Sequence, residues 1–256
     1  MSAYWQLAKL RVFSVKDVVE IAGNRNSAYS LLRRLMKGGY VAKIRSNLYS
    51  CLEPQTDKPV ATKFHVASAI NNSSYVSHHT ALEFYGLTNQ VHYHVYVSSS
   101  ARFRDFEFEG FTYRRVPSRF LEGVVTPEGT QGIRVTDMER TIVDSIKDFE
   151  KVGGLEELLG SIEMLTYLDS NKLTRYLTLY DLQFLFQKTG YILEHFKDSL
   201  KLPESFFQLC KSSKGRSTRY LFSNMRGERF FSKEWGLVVP AELRDLSAYT
   251  KKERNL

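Results

Sequence analysis

A chain of 256 residues with 43% hydrophobic and 25% charged side chains has the apolar material for a sizeable core, and its length suits two domains. That balance excludes a disordered chain, and no apolar run approaches the roughly 20 residues of a membrane span. The net charge of +8 is unevenly spread: residues 1–50 carry nine Lys or Arg against two acids, 51–210 carry 16 against 21, and 211–256 carry 11 against five. A compact basic amino-terminal unit ahead of a mildly acidic middle is the electrostatic footprint expected of a nucleic-acid binder. The opening MSAYWQLAKL lacks the cationic start and long apolar core of a secretory signal, so a cytoplasmic protein is expected. Cys51 and Cys210, far apart and without metal-ligand spacing, read as buried thiols.

The first fifty residues predict three helices and a hairpin. After a helical segment around Ala3 to Leu10, FSVKDVVEIAG offers Ser14 as an N-cap and Asp17 as its capping-box partner. Val15, Val18, Val19 and Ala22 share one face of that second helix, and Gly23 closes it. In NRNSAYSLLRRLMKGGYV, Ala28, Leu31, Leu32, Leu35 and Met36 recur with helical period, and Gly38-Gly39 form the stop. The opposite face carries Arg25, Tyr29 and Arg33 in one row and Asn26, Ser30, Arg34 and Lys37 in the next. Tyr40 to Arg45, a Ser46-Asn47 turn and Leu48 to Leu52 then read as a hairpin.

This is the layout of a winged helix-turn-helix, whose second helix enters a major groove. Asn24, Arg25, Asn26, Ser27, Tyr29 and Ser30 are then expected near base edges, and Arg33, Arg34 and Lys37 near phosphates. Lys43, Arg45 and Asn47 on the wing complete the expected DNA-binding set by reaching the flanking backbone. The polar, proline-bearing stretch after Leu52 predicts a boundary: a DNA-binding domain over 1–54, a linker over 55–62 and a second domain over 63–256.

In the second domain the pattern predicts helices at Phe64 to Ile70 and 78–86, then strands at 92–98, 106–116 and 132–136. From Thr136, taken as an N-cap with Glu139 at the third helical position, four helical stretches follow: TDMERTIVDSI, GLEELLGSIEML, NKLTRYLTLY and LFQKTGYILEHF. The expected fold class is α+β, with a mainly antiparallel sheet over 63–136, a helical part over 137–210 and a basic, aromatic tail over 211–256 with strands RYLF and GLVV.

Catalytic signals are sparse. His92 and His94 on one strand face, with His78 and His79 upstream, are more simply packed or solvated imidazoles than metal ligands. Asp105, Glu107 and Glu109 alternate like nuclease carboxylates but lack a following Glu-x-Lys, and there is no GxSxG, phosphate-binding GxxxxGK[ST] or GxGxxG in a strand-helix context. A non-enzymatic protein without cofactor or metal is expected. For Glu139, Arg140, Thr141 and Asp144, an i,i+4 pair anchoring a helix stands slightly ahead of a partner-binding role. In the tail, Lys211, Lys214, Arg216, Arg219, Arg226, Arg229 and Lys233 interleave with Tyr220, Phe222, Phe230, Phe231 and Trp235. Solvated cations on a sheet edge are preferred there to a second nucleic-acid surface.

Three segments in order, LLRRLMKGGYVAKIRSNLYS, VSHHTALEFYGL and VTDMERTIVDSI, make the chain resemble the AbiEi family, antitoxins of type IV toxin-antitoxin systems linked to abortive phage infection. Residues Arg45 to Tyr49 resemble that family's wing, although its turn often holds Gly. The resemblance implies repression of the protein's own operon through operator DNA with inverted repeats, and neutralisation of a cognate nucleotidyltransferase toxin by the second domain. A ligand-sensing winged-helix transcription factor, or a metal-dependent nuclease with a DNA-binding amino-terminal domain, are the alternatives.

Overall fold

The structure, a computed structural model, describes residues 2–88, 90–222, 225, 227–241 and 243. Its helices and its antiparallel and mixed sheets make it an α+β protein. The chain divides into two compact units, the first Met1–Phe84 with Gln90–Thr136 and the second Tyr85–Asn89 with Asp137–Leu256. The stretch after Leu52, expected as a boundary, therefore lies inside the first unit. Its Val60 packs on the amino-terminal core and donates its N–H to the Cys51 carbonyl, which removes the freedom a linker needs.

The first unit begins with α1 (Ala3–Lys9), α2 (Val15–Ala22) and α3 (Arg25–Lys37), followed by the hairpin β1 (Val41–Arg45) and β2 (Leu48–Cys51). The capping box at the start of α2 forms: the Ser14 N–H donates to Asp17 Oδ2 at 2.7 Å, and Gly23 closes the helix with φ 84°. At the end of α3 the Tyr40 N–H reaches the Leu35 carbonyl and the Gly39 N–H the Met36 carbonyl, the two bonds of a Schellman cap. That cap puts residue 39 at φ +74°, the left-handed region that glycine adopts without strain. Leu7, Phe13, Val18, Ala28, Leu32, Val41, Tyr49 and Cys51 close one buried core beneath these elements. Each large apolar side chain in it contributes roughly 1.5–3 kcal/mol. Met36, expected on the apolar face, is instead 39% exposed beyond the rim of that core.

The unit continues with α4 (Lys63–Ala69), β3 (Tyr75–Val76), α5 (His78–Phe84), β4 (His94–Ser99), β5 (Phe106–Phe108), β6 (Phe111–Pro117), β7 (Val124–Val125) and β8 (Val135–Thr136). The six strands form one sheet in the order β5-β6-β4-β3-β8-β7. Its ladders alternate antiparallel and parallel, so the sheet is mixed, and its longest ladder, β4 with β6, is parallel. The expected single strand over 106–116 breaks into a hairpin because Glu109 and Gly110 both take positive φ, 51° and 75°, as a tight hairpin turn requires. Glu109 therefore leaves the alternating carboxylate row, and Asp105 Oδ1 accepts the Arg115 N–H at 3.1 Å.

The second unit holds α6 (Met138–Lys147), α7 (Leu155–Glu163), α8 (Ser170–Tyr180), α9 (Gln183–Glu194) and α10 (Glu204–Ser213), then β9 (Arg219–Tyr220), β10 (Arg229–Ser232) and β11 (Leu237–Pro240). The last three strands form a separate sheet in the order β10-β11-β9. Asp137, not Thr136, caps α6: its side chain accepts the Arg140 N–H, while Thr136 is the last residue of β8. Helix α9 is buried along most of its length, and Gly190 is where it admits Trp235, since a Cβ there would lie 2.2 Å from the indole. The indole N–H then donates to Glu194 Oε2 at 2.6 Å. Cys51 and Cys210 are both buried free thiols, and burial pushes each up to about 12. Among the described residues no helix is long and apolar enough to cross a membrane.

Candidate nucleic-acid interface

Helix α3 buries Ala28 and Leu32 against the core, which turns Arg25, Asn26, Ser27, Tyr29, Ser30, Arg33, Arg34 and Lys37 outward, all exposed. Among the described residues, none of the four cations on this face forms an ion pair with an acid. Arg25 is held over the Tyr29 ring, 5.7 Å from its centroid, and donates from Nη2 to the tyrosine hydroxyl at 3.4 Å. That hydrogen bond raises the guanidinium pKa further.

Asn24 does a different job from the one expected. It is the N-cap of α3, and its Oδ1 accepts the Ser27 N–H at 2.9 Å, so its acceptor is already engaged at the helix start. Asn47 is likewise structural. At φ 57° it makes the hairpin turn, and its Oδ1 accepts the Val15 N–H at 3.0 Å, fastening the turn to the first residue of α2.

A cleft of about 510 Å³ opens between α2, the start of α3 and the hairpin, with Lys16, Arg25, Tyr29, Lys43 and Asn47 on its walls. Lys16 escaped the sequence reading, yet a signal was available. A lysine in the first turn of a helix opposes the macrodipole, so its presence there asks for a reason other than helix stability. Lys43 faces this cleft but Arg45 does not, although two residues apart on a strand normally share a face. The register of β1 against β2 shifts between them, and that bulge re-aims Arg45. Its guanidinium sits 4.8 Å from the Phe106 centroid and 5.7 Å from that of Phe103. Arg45 is therefore a packing group between the hairpin and the sheet, not a free wing cation.

The VSHHTALEFYGL segment supplies no comparable exposed face. Ser77 Oγ lies 2.7 Å from Ser98 Oγ and 2.9 Å from His78 Nδ1, and the Tyr96 N–H donates to Thr80 Oγ1 at 2.8 Å, binding α5 to β4. His79 stacks on His92 at 3.7 Å, and burial, aided by the charges of His92 and Lys63, holds it down at about 4. Among the described residues no three His, Cys, Asp or Glu side chains gather as metal ligands.

In the second unit the Glu139, Arg140, Thr141 and Asp144 cluster is internal. Arg140 is 1% exposed, and its Nε donates to Asp144 Oδ1 at 2.8 Å. The Tyr180 hydroxyl donates to the same carboxylate oxygen at 2.5 Å, and Arg140 Nη2 to the Tyr180 oxygen at 3.1 Å. Glu139 Oε1 accepts the Asp169 N–H at 3.0 Å, Thr141 Oγ1 donates to the Asp137 carbonyl at 2.7 Å, and the Tyr176 hydroxyl donates to Asp137 Oδ2 at 2.7 Å. These contacts lie within α6 or join it to its own start or to α8, which is the structural role.

The tail cations divide. Lys211 reaches Glu194 at 3.0 Å and Glu234 at 2.5 Å; partial burial pulls its pKa down, and the two hydrogen bonds outweigh that and raise it. Lys214 donates to the Glu234 carbonyl, and Arg229 to the Met225 carbonyl at 3.3 Å. Arg216, Arg219 and Lys233 are exposed, and Arg226 lies outside the described residues.

No family model and no curated protein matches the chain. Among solved structures, the crystal structure of the RV2827C protein from Mycobacterium tuberculosis is similar over 98% of this chain and 93% of that chain, with a TM-score of 0.65 and 14% sequence identity. At that identity the likeness is one of fold alone.

Proposed function

We propose that this chain is a DNA-binding regulator that acts through the exposed face of α3 and, following its resemblance to the AbiEi family, a cytoplasmic, non-enzymatic type IV antitoxin that represses its own operon. The observation that carries the DNA reading is the set of four exposed cations on α3, none of which pairs with an acid among the described residues, joined across the cleft by Lys16 and Lys43. A helix with polar and cationic groups outward, braced from behind by two helices and from the side by a hairpin, fits the major groove and meets phosphates along its length. Arg33, Arg34 and Lys37 supply the salt-dependent term, while Asn26 and Ser30 near the helix start supply base contacts.

The test is binding of the full chain to duplex DNA from upstream of its own gene, across a range of salt. Arg33→Ala and Arg34→Ala should each flatten the slope of log K against log salt by about 1, equally on promoter and random sequence. Asn26→Ala should instead change the preference for promoter over random duplex. Unaltered slopes in the double arginine variant would remove α3 from the interface. The antitoxin half is tested in cells: the full chain, expressed from an unrelated promoter, should rescue growth when the neighbouring nucleotidyltransferase-like product is induced. The Arg33→Ala/Arg34→Ala variant should rescue equally while failing to repress.

A further inference from the structure

We propose that the DNA-contacting surface of the first unit continues past the hairpin onto the segment leading into β5, where Arg102 and Arg104 are additional phosphate contacts; this rests on the duplex-DNA reading of α3. The starting observation is that Arg45 is not free. Its guanidinium lies against Phe103 and Phe106, and Phe106 in turn stacks on Tyr113 of β6 at 4.7 Å with the rings 4° from parallel. Tyr113 is buried in the sheet, so the hairpin is joined through three aromatic rings to a rigid element. The residues flanking Phe103 therefore hold a fixed place next to the Arg45 side of the hairpin.

Those residues are cations. In an extended segment neighbouring side chains point to opposite sides, and here Phe103 is half-buried against Arg45 while Arg102 and Arg104 are both exposed. Neither forms an ion pair among the described residues. The only acid in the segment, Asp105, has Oδ1 committed to the Arg115 N–H at 3.1 Å. The segment is also fastened at its start, because Arg115 donates from Nε to the Ala101 carbonyl at 2.9 Å and from Nη2 to the Ser99 carbonyl at 3.0 Å. Two unpaired arginines on a backbone tied down at both ends lose little freedom on meeting a phosphate, which is what a preorganised contact requires.

The contact is to the backbone and carries no base preference. The bulge that turns Arg45 inward thus exchanges one expected wing cation for two on the adjoining segment.

The experiment uses the full chain, a fluorescein-labelled duplex of its upstream DNA and a random duplex of equal length, with anisotropy read from low to physiological salt. The Arg102→Gln/Arg104→Gln double variant changes only exposed side chains, and thermal melting confirms that it folds as wild type does. The expected result is a slope of log K against log salt flatter by about 1.8, equal on both duplexes, with the ratio of promoter to random affinity preserved. If that slope matches wild type while Arg33→Ala/Arg34→Ala flattens it, the extension is wrong and the α3 reading stands. If wild type binds neither duplex, the α3 reading falls and takes this proposal with it.

Discussion

Arg33 and Arg140 are the same residue type on amphipathic helices of similar length, and the structure uses them in opposite ways. Arg33 lies on the solvent side of α3, and among the described residues no acid pairs with it. Arg140 is enclosed in α6, its charge absorbed by Asp144 and its flat faces set beside Tyr176 and Tyr180 at 6.0 and 5.2 Å. A charge count treats the two alike. The difference shows that a charge count cannot separate a cation left open to solvent from one already paired inside the fold, and each arginine type should fail in its own assay when removed.

The largest effect on stability belongs to the internal kind. Arg140→Leu leaves the Asp144 carboxylate buried without its countercharge and should cost about 3–5 kcal/mol in chemical denaturation. Removing both charges with Arg140→Leu/Asp144→Leu should cost less than the single change, the signature of a buried pair. A double variant less stable than the single would show that Asp144 matters more as the acceptor of the Tyr180 hydroxyl than as the partner of Arg140.

Next comes a basic group that the fold keeps uncharged. His79, held at about 4 against an ordinary 6.5, takes up its proton more readily in the unfolded chain. Its contribution is complete above pH 6.5 and is lost as pH falls toward 4, on the order of 3 kcal/mol. Stability against pH, compared with His79→Phe, should show the wild-type curve falling more steeply across that window. Parallel curves would mean that His79 is solvated enough to titrate normally.

The smallest stability effect concerns a residue expected at the DNA. Asn47→Ala removes the acceptor for the Val15 N–H and strains a turn at φ 57°, which should cost about 1–2 kcal/mol. The salt slope of DNA binding should stay at the wild-type value, because no charge is lost. Weaker DNA binding with unchanged stability would return Asn47 to the interface.

What the sequence made legible was local. The capping box of Ser14 and Asp17, the double glycine after α3 and the two-residue turn at Ser46-Asn47 are each settled within a few residues, and all three form. Helix α10 and strand β10 lay outside the expected elements, although Pro203 ahead of Phe206, Phe207 and Cys210 carried a usable signal for the helix. The direction of Arg45 was not legible. It depends on a one-residue shift in the β1–β2 register and on rings at positions 103 and 106, and no local rule connects those to position 45. The same holds for the cap of α6. Thr136 and Asp137 are both good caps by type, and the choice falls to Asp137 because Thr136 is paired with Val124 in the sheet.

The five residues Tyr85–Asn89 group with the second unit although residues of the first flank them on both sides. The backbone thus passes from one unit to the other after Phe84, returns at Gln90 and crosses again after Thr136. Two units joined by one crossing can be exchanged between genes by a single recombination event, or parted by one stop codon. Here a stop codon after residue 136 leaves the first unit complete but strands five residues of the second inside it, and an alternative start at Asp137 yields a second unit that lacks them. No single cut in the gene therefore separates the two units cleanly.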